Sequence, residues 1–470
     1  MRRTKIVCTI GNVTEKESII ESLVQAGMNV ARLNTSHGKP EMHIQLIHRL
    51  KKIRERMRQP LAILLDLEGP KIRTGQFCAD EIQLEEGQEF VLTSDEILGN
   101  DQYASISYAN LPKEVKSGDL ILVNDGLVGL KVLETNETQI KTRVLNSGVI
   151  SHRKGINVPG VDIGLPPITD KDLEYLKIAV EEGIDFIAQS FVRKPEDVEE
   201  TRDHLRRMDS VIPIISKIET SQAMAYLQSI IYKSDGIMVA RGDLGVEIPT
   251  EDVPIAQKRI IKMCNAQSKP VITATQMLES MIVNPRPTRA EATDIANAIL
   301  DGTDAIMLSG ETAIGKYPVE AVGVMHRIAQ RTETVQADLG SKAWKDLPLM
   351  ENSGEAIAKA CVQISEQLNV GVIVASTSSG STARRISKYR PKALIIATTP
   401  NEQTFQRMAL VWGTIPVLIQ KTMGTDEMIE LSVEKTLERG IARKGDLIII
   451  TAGIPWGIPG TTNMLKIHQC

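Results

Sequence analysis

Short apolar runs recur along the first two thirds of the chain, separated by polar stretches with helix punctuation. Eight of them read as strands: Lys5–Ile10, Asn29–Asn34, Leu61–Asp66, Ile184–Ser190, Val211–Glu219, Gly236–Arg241, Pro270–Gln276 and Asp304–Ser309. Each is nearly continuous in Val, Ile and Leu, the pattern of parallel strands buried on both faces. Helix-start signals stand between them: Thr14 with Glu17 as a capping box, Thr169 ahead of Asp170 and Asp172, and Arg289-Ala-Glu-Ala opening another helix. Eight buried strands alternating with helices predict a closed parallel (β/α)8 TIM barrel. Reacting groups then belong at the C-terminal strand ends, where Asn34, Asp66, Glu219, Asp243 and Thr275 fall.

Between the third and fourth runs the period changes to two. Glu81-Ile-Gln-Leu, Glu89-Phe-Val-Leu-Thr, Asp119-Leu-Ile-Leu-Val and Leu130-Lys-Val-Leu alternate, with Asp125-Gly126 as a turn. An all-β insertion is expected to leave the barrel after Gly69-Pro70 and return through Leu165-Pro166-Pro167. At the catalytic rim, on two narrow stems, it suits a lid. After about residue 345 the rhythm restarts with Gly371-Val-Ile-Val-Ala, Ala393-Leu-Ile-Ile-Ala, Thr414-Ile-Pro-Val-Leu and Asp446-Leu-Ile-Ile-Ile, a separate doubly wound α/β domain. The expected division is a barrel over 1–70 and 167–345, a β lid over 71–166 and a C-terminal α/β domain over 346–470.

Bulk properties narrow the class. The 470 residues suffice for about three domains at ~150 residues each. A formal charge of −4 argues against general nucleic-acid binding, which favours a basic face. Five scattered cysteines (Cys8, Cys78, Cys264, Cys361, Cys470) lack paired metal-ligand spacing and read as reduced thiols. No stretch approaches ~18 apolar residues, and the apolar run after Met1-Arg-Arg-Thr-Lys is too short for a signal peptide, so no membrane partner and a cytoplasmic location are expected.

The strand ends carry the chemistry. Lys217 and Glu219 stand two apart and so point the same way from one strand. An ion pair at a strand terminus would explain them; so would a site holding a metal on the carboxylate and a phosphoryl group on the ammonium. Ala240-Arg-Gly242-Asp243 adds a second carboxylate beside a glycine whose backbone a substrate can approach. Arg32-Leu-Asn34-Thr-Ser36-His37 sets an arginine fork and two neutral oxygens on one side of another strand end. Asp66-Leu67-Glu-Gly-Pro-Lys71-Ile-Arg73 packs two cations near a carboxylate, and Thr275 brings a hydroxyl to the next rim position. In the last domain Thr377-Ser378-Ser379-Gly380-Ser381-Thr382 lies between a strand and a helix, an anion cradle or a capped turn.

At these residues the chain resembles the pyruvate kinase family over essentially its whole length: Lys-Ile-Val-Cys-Thr-Ile-Gly (5–11), Arg-Leu-Asn-Thr-Ser-His-Gly (32–38), Gly-Pro-Lys-Ile-Arg (69–73), Lys-Gly-Ile-Asn-Val-Pro-Gly (154–160), Ser-Lys-Ile-Glu (216–219), Met-Val-Ala-Arg-Gly-Asp-Leu-Gly (238–245) and Pro-Arg-Pro-Thr-Arg-Ala-Glu (285–291). The resemblance implies phosphoryl transfer between phosphoenolpyruvate and ADP, giving pyruvate and ATP, in a homotetramer regulated through the third domain. It implies that Arg32 contacts the phosphoryl group, Lys217 stabilises its charge, and Glu219 and Asp243 hold Mg2+ or Mn2+. The amides of Gly242 and Asp243 would receive the substrate carboxylate, with Thr275 beside it organising protonation of the enolate. Asn34, His37, Arg73 and Lys154 match nucleotide positions, and loop 377–382 matches the site of a sugar-phosphate or nucleotide effector. Gly453–Asn463 matches an effector-side loop.

Many relatives that need potassium carry Thr and Glu where this chain has Leu67 and Lys71. The Lys71 ammonium is therefore expected to stand in for K+, with Asn34, Ser36 and Asp66 around it, making K+ dispensable. Another phosphoenolpyruvate-using barrel enzyme would have no use for Arg73 and Lys154 as nucleotide residues. A non-catalytic phosphometabolite sensor would be expected to have lost Lys217 or a metal ligand, and none is missing.

Overall fold

A computed structural model describes residues 1–339, 352–422, 424–454 and 462–470. The eight barrel strands are Lys5–Thr9, Val30–Asn34, Ala62–Asp66, Phe186–Gln189, Ile214–Ile218, Gly236–Ala240, Val271–Ala274 and Ala305–Leu308, here numbered one to eight in words. They close into a parallel barrel in sequential order, strand one pairing with both strand two and strand eight. This is the predicted TIM barrel, with each strand one to three residues shorter at one or both ends.

Alternation along the strands explains why the barrel has a dry foot and a polar mouth. Val7, Val30, Ala62, Leu64, Phe186, Ala188, Ile215, Met238, Ile272, Ala274, Ala305 and Met307 form the inner core. Two residues further along the same faces come Thr9, Arg32, Asp66, Ser190 and Lys217. The inner core also contains Ala409 and Leu410, from a single 3-10 turn of the C-terminal domain, Met408–Leu410. That turn plugs the barrel foot. Around it Lys5 Nζ donates to the Thr414 carbonyl at 2.7 Å, and Arg390 reaches Asp304 at 3.0 Å and Asn265 at 2.9 Å.

Helix starts follow the sequence at two of three places. Thr169 with Asp172 and Thr288 with Glu291 form capping boxes. The expected box of Thr14 and Glu17 does not form: the helix Glu17–Ala26 begins two residues later, from Lys16. Thr14 Oγ1 instead accepts from the Gly11 amide at 3.1 Å and donates to the Thr312 carbonyl at 2.9 Å, tying two barrel loops together.

The insertion is all-β apart from one short helix. A seven-stranded sheet includes Glu89–Thr93, Leu120–Val123 and Val128–Thr135, and Glu81–Leu84 pairs with Gly148–Ser151 in a separate ribbon. Its exit stem requires glycine: Gly69 has φ +72°, and a Cβ there would lie 2.8 Å from the Cβ of Ser190. The C-terminal domain holds the four predicted parallel strands, now Val372–Ser376, Leu394–Thr399, Thr414–Leu418 and Leu447–Gly453. A fifth strand, Thr462–Gln469, is antiparallel at the sheet edge and was not foreseen; its polar, alternating sequence lacks the continuous apolar run of its buried neighbours.

Candidate active site

The inward polar residues form one connected network across neighbouring strands. Arg32 Nε donates to Asp66 Oδ2 at 2.6 Å, and its Nη1 to Thr9 Oγ1 at 2.8 Å. Lys217 Nζ lies 3.3 Å from Asp66 Oδ1, 2.9 Å from Glu219 Oε1 and 2.7 Å from Ser190 Oγ. Ser190 Oγ donates in turn to the Leu67 carbonyl at 2.7 Å, and the Phe191 amide donates to Glu219 Oε2 at 2.7 Å. Arg32, Asp66, Lys217 and Glu219 are all buried or nearly so. Buried charges of this kind persist only when paired and hydrogen-bonded.

The pairing fixes the charge states. Burial opposes the charge on Asp66, but Lys217 and Arg32 outweigh it and hold its carboxyl below the ordinary range. Burial likewise opposes the Lys217 ammonium, but Asp66 and Glu219 outweigh it and push its pKa up. Glu219 moves the other way from its partner: burial, with the like charge of Asp243 adding to it, pushes its carboxyl up despite Lys217. The Lys217 direction governs the pair, because the ammonium has two carboxylate partners whereas Glu219 has one cation. The charge of Asp243 adds to the cost of ionising Glu219, although each carboxylate has an ammonium partner, Lys217 for Glu219 and Lys71 for Asp243; such carboxylate oxygens are the donors a hard divalent cation takes. The residues present fit such an ion: Glu219 and Asp243 would hold it.

Thr275 completes the rim through a strained turn. It has φ +66° and Gln276 φ +56°, the left-handed region that a β-branched residue avoids. Arg241 holds the turn by donating to the carbonyls of Ala274 at 3.2 Å and Thr275 at 2.6 Å, and is itself paired with Asp294 at 2.7 Å. Thr275 Oγ1 accepts from the Gly242 amide at 2.9 Å. One of the two amides expected to receive a substrate carboxylate is therefore engaged by the neighbouring side chain.

Lys71 departs from expectation. Its ammonium lies 3.1 Å from Asp243 Oδ1, 3.7 Å from Asp125 Oδ1 of the lid, and 5.7 Å from the Phe191 ring centroid. Asn34, Ser36 and Asp66 are not among its hydrogen-bond or ion-pair partners. Asp66 is saturated by Arg32 and Lys217, Asn34 Oδ1 takes the Ser36 amide at 3.2 Å, and Lys71 sits beyond the Gly69-Pro70 stem on the lid side. Leu67 is buried in the outer core. Arg73 pairs with Glu68 at 3.2 Å, His37 is exposed on the loop after strand two, and the Lys154 backbone pairs with Thr74 in the lid.

Residues 377–382 lie in another place, running from the end of the strand Val372–Ser376 into the first turn of the helix Ser381–Ser387. Some of their hydroxyls are already engaged: Thr377 Oγ1 accepts from the Gly380 amide at 2.9 Å, and Thr382 pairs with Thr462 at 2.7 Å. Residues 455–461 of the expected effector-side loop lie outside the described residues.

Residues 1–322 match the family described as pyruvate kinase, barrel domain, and residues 355–468 match pyruvate kinase, alpha/beta domain. The chain belongs to the pyruvate kinase family. It is 49% identical to a pyruvate kinase of Thermotoga maritima over 99% of both chains. It is 49% identical to one of Staphylococcus epidermidis, covering all of this chain and 80% of that protein. Its fold is similar to that of a pyruvate kinase from Cryptosporidium parvum, with a TM-score of 0.94 at 39% identity, covering 100% of this chain and 96% of that one. Pyruvate kinases generally use a divalent metal. Four participants in the network escaped the sequence reading: Thr9, Ser190, the Phe191 amide and Arg241. Thr9 and Ser190 carried a usable signal, being polar residues at the mouth ends of two apolar runs.

Proposed function

We propose that the chain transfers the phosphoryl group of phosphoenolpyruvate to ADP, forming pyruvate and ATP. The observation that carries this reading is the alternation of charge around the mouth, Arg32, Asp66, Lys217, Glu219, then Asp243. Phosphoryl transfer needs positioning and charge neutralisation rather than covalent help from the protein. Glu219 and Asp243 would hold Mg2+ or Mn2+, which when bound neutralises charge on substrate oxygens.

The chain's own residues do the rest. Arg32 has Nη2 uncommitted among the described residues, while Asp66 and Thr9 hold its plane, so it presents a rigid donor to the phosphoryl group. Lys217 remains charged and already spends its three donors; the neutral Ser190 hydroxyl is the acceptor it gives up at least electrostatic cost when a phosphoryl oxygen arrives. Thr275 stands where its hydroxyl can organise protonation of the enolate, and the amides of Asp243 and Gly242 take the substrate carboxylate, the latter by exchanging its bond to Thr275. Asn34, His37, Arg73 and Lys154 serve the nucleotide side.

Lys71 adds a fixed positive charge beside the same site, so catalysis is expected to proceed without K+, the Asn34, Ser36, Asp66 and Leu67 region holding no monovalent ion. The three-domain division at 70/71, 166/167 and 345/346 makes residues 71–166 the lid. Loop 377–382 binds the phosphate of a sugar-phosphate or nucleotide effector, and the enzyme works as a cytoplasmic homotetramer. No helix among the described residues is long and apolar enough to cross a membrane. A coupled assay of ADP-dependent pyruvate formation tests the reading. Activity is expected only with a divalent ion, and at similar rates in sodium, potassium and tetramethylammonium chloride. Large activation by potassium would reject the role of Lys71, and no turnover with any divalent ion would reject the function.

A further inference from the structure

Beneath the loop that follows strand two, two aromatic side chains outside the catalytic network meet. His43, near the start of the helix Pro40–Met57, and Tyr175, in the helix Asp170–Glu181, are both buried. His43 Nδ1 lies 2.9 Å from the Tyr175 hydroxyl, and the two rings meet edge to face with centroids 5.4 Å apart. The Cε1–Nε2 edge of the imidazole faces the loop: Gly38 has φ +84°, and a Cβ there would stand 3.3 Å from His43 Cε1 and 3.7 Å from Nε2. Glycine lets the backbone close onto that edge in a conformation other residues avoid.

Burial also settles where the protons sit. It pushes the Tyr175 phenol up to about 12, with the charges of Glu174, Glu41 and Glu68 adding to it, so the hydroxyl keeps its proton. It pushes the His43 imidazole below its ordinary range, opposed by hydrogen bonding to the backbone of Asn34 and Lys39 and reinforced by the charge of Lys171. The ring is thus uncharged at physiological pH. Tyr175 donates, Nδ1 accepts, and the one ring proton sits on Nε2, toward the backbone at the two ends of the loop. Between those ends Thr35 is tied separately, its amide and its Oγ1 both donating to the Asp66 carbonyl at 3.0 Å. The helix that carries Tyr175 also holds the exit stem of the lid, because Asp172 Oδ1 accepts from the Gly69 amide at 3.3 Å.

We propose that His43, anchored by Tyr175, is a positioning residue for the nucleotide: the pair fixes the backbone of residues 34–38, and so the directions in which Asn34 and His37 are presented to ADP. The inference rests on the reading of Asn34 and His37 as nucleotide residues. The phosphoenolpyruvate side is held by contacts the pair does not share, Arg32 by Asp66 and Thr9, and Lys217 by Asp66, Glu219 and Ser190. A loosened loop therefore weakens ADP and leaves phosphoenolpyruvate untouched. The two bonds from Thr35 keep the loop attached to strand three when the pair is broken, so its loss loosens the loop without unfolding the barrel.

The test is steady-state pyruvate formation by the full-length protein, with KM measured separately for ADP and phosphoenolpyruvate and Tm in parallel. The variants are Tyr175→Phe, which deletes one oxygen and keeps the packing, His43→Leu, His43→Asn and the double variant Asn34→Ala, His37→Ala. In Tyr175→Phe and His43→Leu the KM for ADP should rise about three- to tenfold, as loss of one buried hydrogen bond predicts, while kcat and the KM for phosphoenolpyruvate stay within about twofold. His43→Asn, whose amide oxygen replaces Nδ1 as the acceptor, should recover most of the ADP affinity. Equal rises in both Michaelis constants, or a lower Tm with the ADP constant unchanged, would make the pair merely structural and overturn the inference. If the double loop variant raises the ADP constant and Tyr175→Phe does not, the positioning role falls and the nucleotide reading stands. If the double loop variant leaves the ADP constant unchanged, the nucleotide reading falls and takes the inference with it.

Discussion

Replacing Lys217 with methionine keeps the length and apolar stem of the side chain and removes one charge from the centre of the network. At an effective dielectric of about 20, unit charges at the distances to Glu219 (2.9 Å) and Asp66 (3.3 Å) attract by roughly 6 and 5 kcal/mol. Desolvation offsets much of that gross attraction, and removing one member of a buried ion network costs about 3–5 kcal/mol net. Asp66 keeps Arg32, whereas Glu219 keeps only the Phe191 amide and becomes easier to protonate. The same charge is lost from the transition state, where removal of one preorganised electrostatic partner lowers kcat by about 10²–10³. The assay is kcat and KM for phosphoenolpyruvate by pyruvate formation at saturating Mg2+, with Tm measured in parallel. A Lys217→Met, Glu219→Gln double variant should be less destabilised than the sum of the singles, with a coupling of about 1–3 kcal/mol. A folded Lys217→Met enzyme with kcat within about tenfold of wild type would refute the assignment of charge stabilisation to this side chain.

Three further outcomes are expected. Asp243→Asn should weaken Mn2+ binding, read by calorimetry without substrate, by at least ~10-fold; unchanged affinity would remove Asp243 from the metal site. Arg241→Leu withdraws the donors holding the left-handed turn at Thr275, leaving the Thr275 carbonyl without its donor at ~1–3 kcal/mol while that of Ala274 keeps the Thr275 hydroxyl; kcat should fall more than KM changes, and equal effects on both would argue against a positioning role. Burial, reinforced by Arg2, pushes the Lys5 ammonium from 10.5 down to about 7, so between pH 7 and 10.5 the unfolded chain binds more protons than the folded one. Stability should therefore rise with pH across that window relative to Lys5→Met, with the full penalty present below pH 7; a constant Tm difference from pH 7 to 9.5 would contradict this.

The barrel was legible because its signal is local. Continuous apolar runs such as Ala-Ile-Leu-Leu (62–65) can be buried only between two covered faces, and alternation then forces Arg32, Lys217 and Glu219 to the same end. The lid was legible because Glu81-Ile-Gln-Leu and its neighbours switch to a period of two. The edge strand Thr462–Gln469 was not, since an exposed antiparallel strand needs no apolar run. Thr14 looked like a cap by spacing alone, but a carbonyl on another loop, that of Thr312, competed for its hydroxyl.

By itself the sequence determined which side chains gather at the mouth, because strand periodicity and chain order are properties of neighbouring residues. Only the tertiary structure decided who partners whom. Asp66 has two oxygens, and the geometry of strands two and five gives them to Arg32 and Lys217, leaving Lys71 to face Asp243 across the lid stem. The same holds at the foot, where Leu410 enters the barrel and Lys269 meets Arg385 around one cavity. Apart from Arg32 and Asp66, 34 positions apart, these groupings join residues more than a hundred positions apart, and no local pattern encodes the three-dimensional docking that brings them together.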